Sequence, residues 1–107
     1  MAQTGLFEYI PKQHRAYMKS ELIEQWNNQC AYCGSVERKK ELTIDHVVPL
    51  AKEGTDEYTN LVPACRSCNM SKGHSGVRQW YFDSPDYTTE RWLKIKQHMD
   101  SQNVFTS

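Results

Sequence analysis

Residues 30–73 read CAYCGSVERKKELTIDHVVPLAKEGTDEYTNLVPACRSCNMSKG. Two cysteine pairs frame this stretch, Cys30/Cys33 and Cys65/Cys68, with 31 residues between them. Each CxxC can place two thiolates on one ion, and two such knuckles complete a tetrahedral four-sulfur zinc site. The gap is longer than in the simplest zinc ribbon, so a substructure must sit between the knuckles. Gly34, directly after Cys33, suits the tight turn that a knuckle needs. A closed four-thiolate site has no open coordination position, so this zinc is expected to be structural. It would contribute on the order of 10 kcal/mol to folding. The competing readings are a redox pair and free thiols; the redox reading needs a βαβ context that is absent here.

Between the knuckles the pattern predicts two strands and a helix. Leu42–Ile44 is a short apolar strand ended by Asp45-His46, and Val47–Leu50 continues extended until Pro49 and Gly54 punctuate it. Asn60–Pro63 is a second extended piece, and residues 65–73 contain no helix breaker before Gly73. Outward from this ββα unit, residues 12–28 are expected to be helical. Met18, Leu22 and Trp26 recur every four residues, and Ile23 widens the stripe into a core-facing surface. A short helix is predicted over 77–82. A longer one starts at Thr88 or Thr89, with Glu90 in its first turn and Trp92, Ile95 and Met99 on one face, fraying from Ser101. The expected architecture is α+β and a single domain, 1–107. It has a motif core at 30–73, an N-terminal helix at about 12–28 and a C-terminal helical extension at about 77–101.

Composition sets the outer limits. The chain has 107 residues, 38% apolar and 24% charged, which fits one small folded domain that gains from a metal staple. No run of eighteen apolar residues indicates a membrane span. Met1–Tyr9 lacks the charged-then-apolar layout of a secretory signal, so reduced thiols in a cytoplasmic setting are expected. Net charge is zero, which argues mildly against nucleic acid. The distribution says more: residues 41–64 hold one base against five acids, net −4, and residues 65–82 hold three bases and no acid, net +3.

With Cys30-x2-Cys33, Asp45-His46, Asn60, Cys65-x2-Cys68-Asn69 and Lys72 in view, the segment resembles the HNH endonucleases of the zinc-knuckle subclass. The resemblance covers 44 of 107 residues. It implies a ββα-metal (His-Me finger) core and a metal-dependent endonuclease cutting nucleic acid, DNA in the first place. It implies His46 as general base, Asp45 and Asn69 as ligands of one catalytic Mg²⁺ or Mn²⁺, and Asn60 as the loop fastener that orients the site. Lys72 lies one turn beyond Asn69 on the same helix. Asn69 departs from the family's literal third letter, histidine, and His74 is the alternative last ligand. A bacterial or phage setting is implied, as is a nuclease acting alone, as a dimer or within a larger complex.

Elementary chemistry points the same way. Phosphodiester hydrolysis needs an activated water, a counter-charge for the developing negative charge and help for the leaving oxygen. Histidine titrates near neutrality and can accept the proton from water. A carboxylate with an amide oxygen suits a hard divalent ion. Asp45 and His46, adjacent on a strand, are expected to point to opposite faces. Asn69 and Lys72, three apart, share a helix face that turns Asn69 to the metal and Lys72 to phosphate. His14 and His98 read as surface residues. Trp80, Tyr81, Tyr87 and Trp92 read as core rather than as a base-stacking platform. Two further readings stay open: a non-catalytic zinc module binding nucleic acid or protein, and a nuclease unit aimed by a partner.

Overall fold

The computed structural model describes residues 12–106, with side chains from 16 to 101. His14 therefore lies outside the described side chains. Helix α1 (Lys12–Gln25) buries Leu22 and Ile23, and Trp26 is buried just after its end. It stops before the expected residue 28, because Asn27 and Asn28 both adopt left-handed backbone at φ 57°. Asparagine tolerates that region, and the Asn28 N–H returns to the Ile23 carbonyl at 3.0 Å, closing the helix end.

The centre is a two-stranded antiparallel sheet. Strand β1 (Leu42–His46) pairs with β2 (Leu61–Cys65), Leu42 opposite Cys65 and His46 opposite Leu61. Both strands run longer than the sequence suggests, since the register carries pairing through Asp45 and His46. Helix α2 (Arg66–Lys72) leaves β2 directly, with Cys65 as its N-cap. The short helix α3 (Val77–Tyr81) and helix α4 (Thr89–Thr106) complete the chain. Thr88 caps α4: its Oγ1 accepts from the Arg91 N–H at 3.1 Å. The helix continues past Ser101, where the sequence predicts fraying.

The fold is thus a small α+β unit, a β-hairpin with a helix behind it and flanking helices around it. The core joins α1 to the sheet and to α4 through Trp26, Tyr32, Val47, Leu61, Val62, Tyr81 and Ile95, all under 5% exposed. Tyr32, Trp80, Tyr81 and Tyr87 pack ring against ring at 5.0–5.8 Å, and Trp80, Tyr81, Tyr87 and Trp92 lie in or against the core, as expected of them. Among the described residues no helix is long and apolar enough to cross a membrane.

His98 corrects an expectation. It is half-buried in α4, and its Nε2 meets the Tyr58 and Leu61 carbonyls at 3.0 and 2.9 Å. Burial holds its pKa below the usual histidine value. Sequence periodicity marks it as outside the apolar stripe, yet α4 docks on the turn before β2 and gives it two acceptors there.

Candidate active site and four-cysteine cluster

The two CxxC knuckles meet in space. The four thiol sulfurs of Cys30, Cys33, Cys65 and Cys68 all lie within 4.8 Å of one another. Each knuckle shows the local geometry of a thiolate turn. The Tyr32 N–H donates to Cys30 Sγ at 3.4 Å and the Cys68 N–H to Cys65 Sγ at 3.5 Å. Gly34 takes φ 79°, a left-handed backbone that favours glycine, and the tip of Arg91 lies over it, Nη1 2.8 Å from where a Cβ would sit. The Cys68 thiol beside Cys30 draws the Cys30 pKa down to about 5, while Cys68 itself is pushed up by Cys30 and by burial. Four soft sulfurs at this separation fit one tetrahedral ion.

Asp45, His46, Asn69 and His74 line one open pocket of about 240 Å³, walled by Ile44, Pro49 and Leu50. Asp45 and His46 are consecutive residues of β1, paired with Val62 and Leu61, and each contributes to the pocket lining. Asp45 is 6% exposed. Its Oδ2 accepts from the Tyr32 hydroxyl at 2.6 Å and lies 3.2 Å from Lys72 Nζ. Burial, with the Asp45 charge next, raises the Tyr32 hydroxyl well above the phenol range, so it remains a donor.

His46 Nε2 stands 2.6 Å from Asp56 Oδ1. An ionised carboxylate only accepts, so Nε2 carries the hydrogen of this bond, and in the neutral ring the lone pair is then on Nδ1. Asp56 is a residue the sequence reading missed. It lies ten positions away in a loop, with no fixed spacing to flag it.

Asn60 holds that loop. Its Oδ1 accepts from the Val48 N–H at 2.9 Å, and its Nδ2 donates to the Val48 and Thr55 carbonyls at 3.0 and 2.8 Å. It is 7% exposed, and all three bonds tie loop 48–55 to the start of β2. Gly54 sits inside the clasp, where a Cβ would come within 1.8 Å of the Val48 carbonyl oxygen.

Asn69 is oriented by Thr43 of β1. Its Nδ2 donates to Thr43 Oγ1 at 2.7 Å, and that hydroxyl in turn donates to the Ala64 carbonyl at 2.8 Å. This leaves the amide oxygen as the atom suited to a cation. Lys72 does not reach out toward phosphate as expected. It is 1% exposed, and Nζ donates to the His46 carbonyl at 2.9 Å besides facing Asp45. Helix α2 packs directly on β1, so the face shared with Asn69 is an inward one. His74 is exposed at the pocket rim.

Known proteins resemble this chain in sequence and in fold. The HNH endonuclease family model matches residues 30–75. Over 86 residues the chain is 34% identical to YoqL, a Bacillus subtilis protein derived from the SPbeta prophage and named for the HNH endonucleases, covering 72% of this chain and 37% of that one. Over 59 residues it is 42% identical to the CRISPR-associated endonuclease Cas9 of Corynebacterium diphtheriae, covering 54% of this chain and 5% of that one. The fold matches part of the Type II-C Cas9 enzyme of Actinomyces naeslundii with a TM-score of 0.63 at 22% identity, over 88% of this chain and 11% of that one. The chain thus spans little more than a third of the first relative and a twentieth of the second. Residues 30–75 thus match the HNH endonuclease family model, and the four-cysteine cluster fits the zinc-knuckle subclass of that family.

Proposed function

We propose that the chain is a metal-dependent DNA endonuclease with His46 as general base. The observation that carries this reading is the shared pocket lined by Asp45, His46 and Asn69, with a histidine whose second nitrogen is held by a carboxylate.

The residues present fit a hard divalent ion. Asp45 and the Asn69 amide oxygen are its protein ligands, with His74 as the alternative to Asn69, and Mg²⁺ or Mn²⁺ matches such oxygen donors. That ion supplies counter-charge to the phosphate as negative charge develops. His46 accepts the proton of the attacking water at Nδ1, while Asp56 fixes the tautomer through Nε2. The water oxygen forms a bond to phosphorus as the bond to the 3′ oxygen breaks, and that oxygen takes up a proton. The products carry a 5′-phosphate and a 3′-hydroxyl. Asn60 holds the loop that carries Asp56, and Lys72 holds Asp45 and the His46 carbonyl. The four-cysteine cluster takes Zn²⁺ and supports the fold.

Purified zinc-loaded protein incubated with supercoiled plasmid tests this. Cleavage that needs Mg²⁺ or Mn²⁺ and is lost in folded His46→Ala is expected. Undiminished cleavage by His46→Ala would refute the base assignment.

A net charge of zero and relatives much longer than this chain favour a second element in the reading. The unit gains its hold on DNA from another protein or protein segment, since phosphate affinity depends on positive charge. DNA affinity of the chain alone, measured at a stated salt concentration, checks it: submicromolar binding at physiological salt would remove the need for a partner.

A further inference from the structure

Two buried polar side chains, one from the first knuckle and one from α2, converge on one carboxylate oxygen of β1. Tyr32, within the first knuckle, donates to Asp45 Oδ2 at 2.6 Å, and Lys72 of α2 approaches the same atom at 3.2 Å. Tyr32 is 0% exposed and Lys72 1%. Both ends of Tyr32 are anchored. Its ring packs edge-on against Trp80 and Tyr81, and its carbonyl accepts from Tyr81 Oη at 2.6 Å and Arg91 Nε at 2.9 Å. The hydroxyl is therefore placed by the knuckle itself.

A carboxylate turns easily about its last torsion, which has broad preferences. Two donors on one oxygen remove that freedom and leave Oδ1 as the atom for a ligand in the pocket. We propose that Tyr32 is a positioning residue that, with Lys72, pins Oδ2 of Asp45, presents Oδ1 to the divalent ion, and so ties that ion's affinity to the four-cysteine knuckle. The inference rests on the reading of Asp45 as a metal ligand. Groups that orient a metal ligand from behind change metal affinity by about 10- to 100-fold when removed. A hydroxyl that merely fills the core would leave metal affinity unchanged.

The test is Mn²⁺ binding to the full chain, read by the electron paramagnetic resonance signal of the free ion, with zinc content measured alongside. Tyr32→Phe keeps the ring and its aromatic contacts. The expected result is one zinc retained and a Mn²⁺ dissociation constant raised at least tenfold. In an Asp45→Ala background, where binding is already weak, Tyr32→Phe should add nothing further. Wild-type Mn²⁺ affinity in Tyr32→Phe would overturn the proposal. Loss of zinc from that variant would overturn it too, because the hydroxyl would then serve the knuckle rather than Asp45. Wild-type affinity in Asp45→Ala would instead refute the ligand reading beneath it, so the two failures are distinct.

Discussion

Asp56 accepts a 2.6 Å hydrogen bond from Nε2 of His46, from a loop that Asn60 fastens at the start of β2. The carboxylate selects the tautomer in which Nδ1 is the basic atom. Asp56→Ala should therefore lower kcat at least tenfold with KM little changed, whereas His46→Ala should cost about 10²- to 10⁴-fold. The double variant should be no worse than His46→Ala alone, since the two act as one unit. Plasmid-cleavage kinetics on the three variants check this, and additive losses would separate the pair.

The buried Lys72–Asp45 pair gives a stability prediction. Removing one partner of such a pair leaves an uncompensated charge and costs about 3–5 kcal/mol. Lys72→Met should show a loss of that size in urea unfolding without added divalent ion. Mn²⁺ should restore part of it by supplying a replacement counter-charge. A variant as stable as wild type would mean that Asp45 meets its charge cost elsewhere.

Thr43→Val keeps the shape of the side chain and removes the hydroxyl between Asn69 and the Ala64 carbonyl. With its amide free to flip, Asn69 should bind the ion less well. The Mn²⁺ concentration needed for half-maximal cleavage should rise about tenfold. The accompanying stability loss should be about 1 kcal/mol, which thermal unfolding can verify.

Loss of the cysteine-bound ion should unfold the protein. Small domains have a total stability of about 5–15 kcal/mol, and a structural zinc supplies on the order of 10 of it. Cys68→Ser, or a strong chelator on the wild type, should abolish the cooperative thermal transition seen by circular dichroism. A preserved transition at the same temperature would contradict this.

His98 predicts how stability responds to acid. Its folded pKa lies below the ordinary value of 6.5, so the unfolded chain binds the proton more readily. The contribution of His98 is fully present above pH 6.5 and is lost as pH falls through the folded pKa. The slope from this one proton is at most about 1.4 kcal/mol per pH unit. His98→Gln should flatten the curve in that window. An unchanged curve would place the acid sensitivity in other groups.

Much of the site is legible from spacing. The four cysteines close into one cluster, Asp45, His46 and Asn69 line one pocket, and Asn60 clasps the loop beside it. What escapes is set by packing between elements. Tyr32 reads as filler between cysteines until β1 passes within reach of its hydroxyl. Asp56 reads as one acid among several until the Asn60 clasp and Gly54 curl its loop back to His46. Lys72 shares a helix face with Asn69, but periodicity does not say whether that face meets solvent or strand. His98 reads as exposed because its two acceptors come from a turn some 40 residues earlier.

The family match ends at Ser75, yet the knuckle leans on residues beyond that point. Arg91 fills the space left by Gly34 and, with Tyr81, satisfies the buried Tyr32 carbonyl. An engineer who excised residues 30–75 as a portable cutting cassette would take the catalytic letters and leave their scaffold behind. The smallest transplantable piece has to run at least through Arg91, and the choice of cut site matters as much as the choice of catalytic residues.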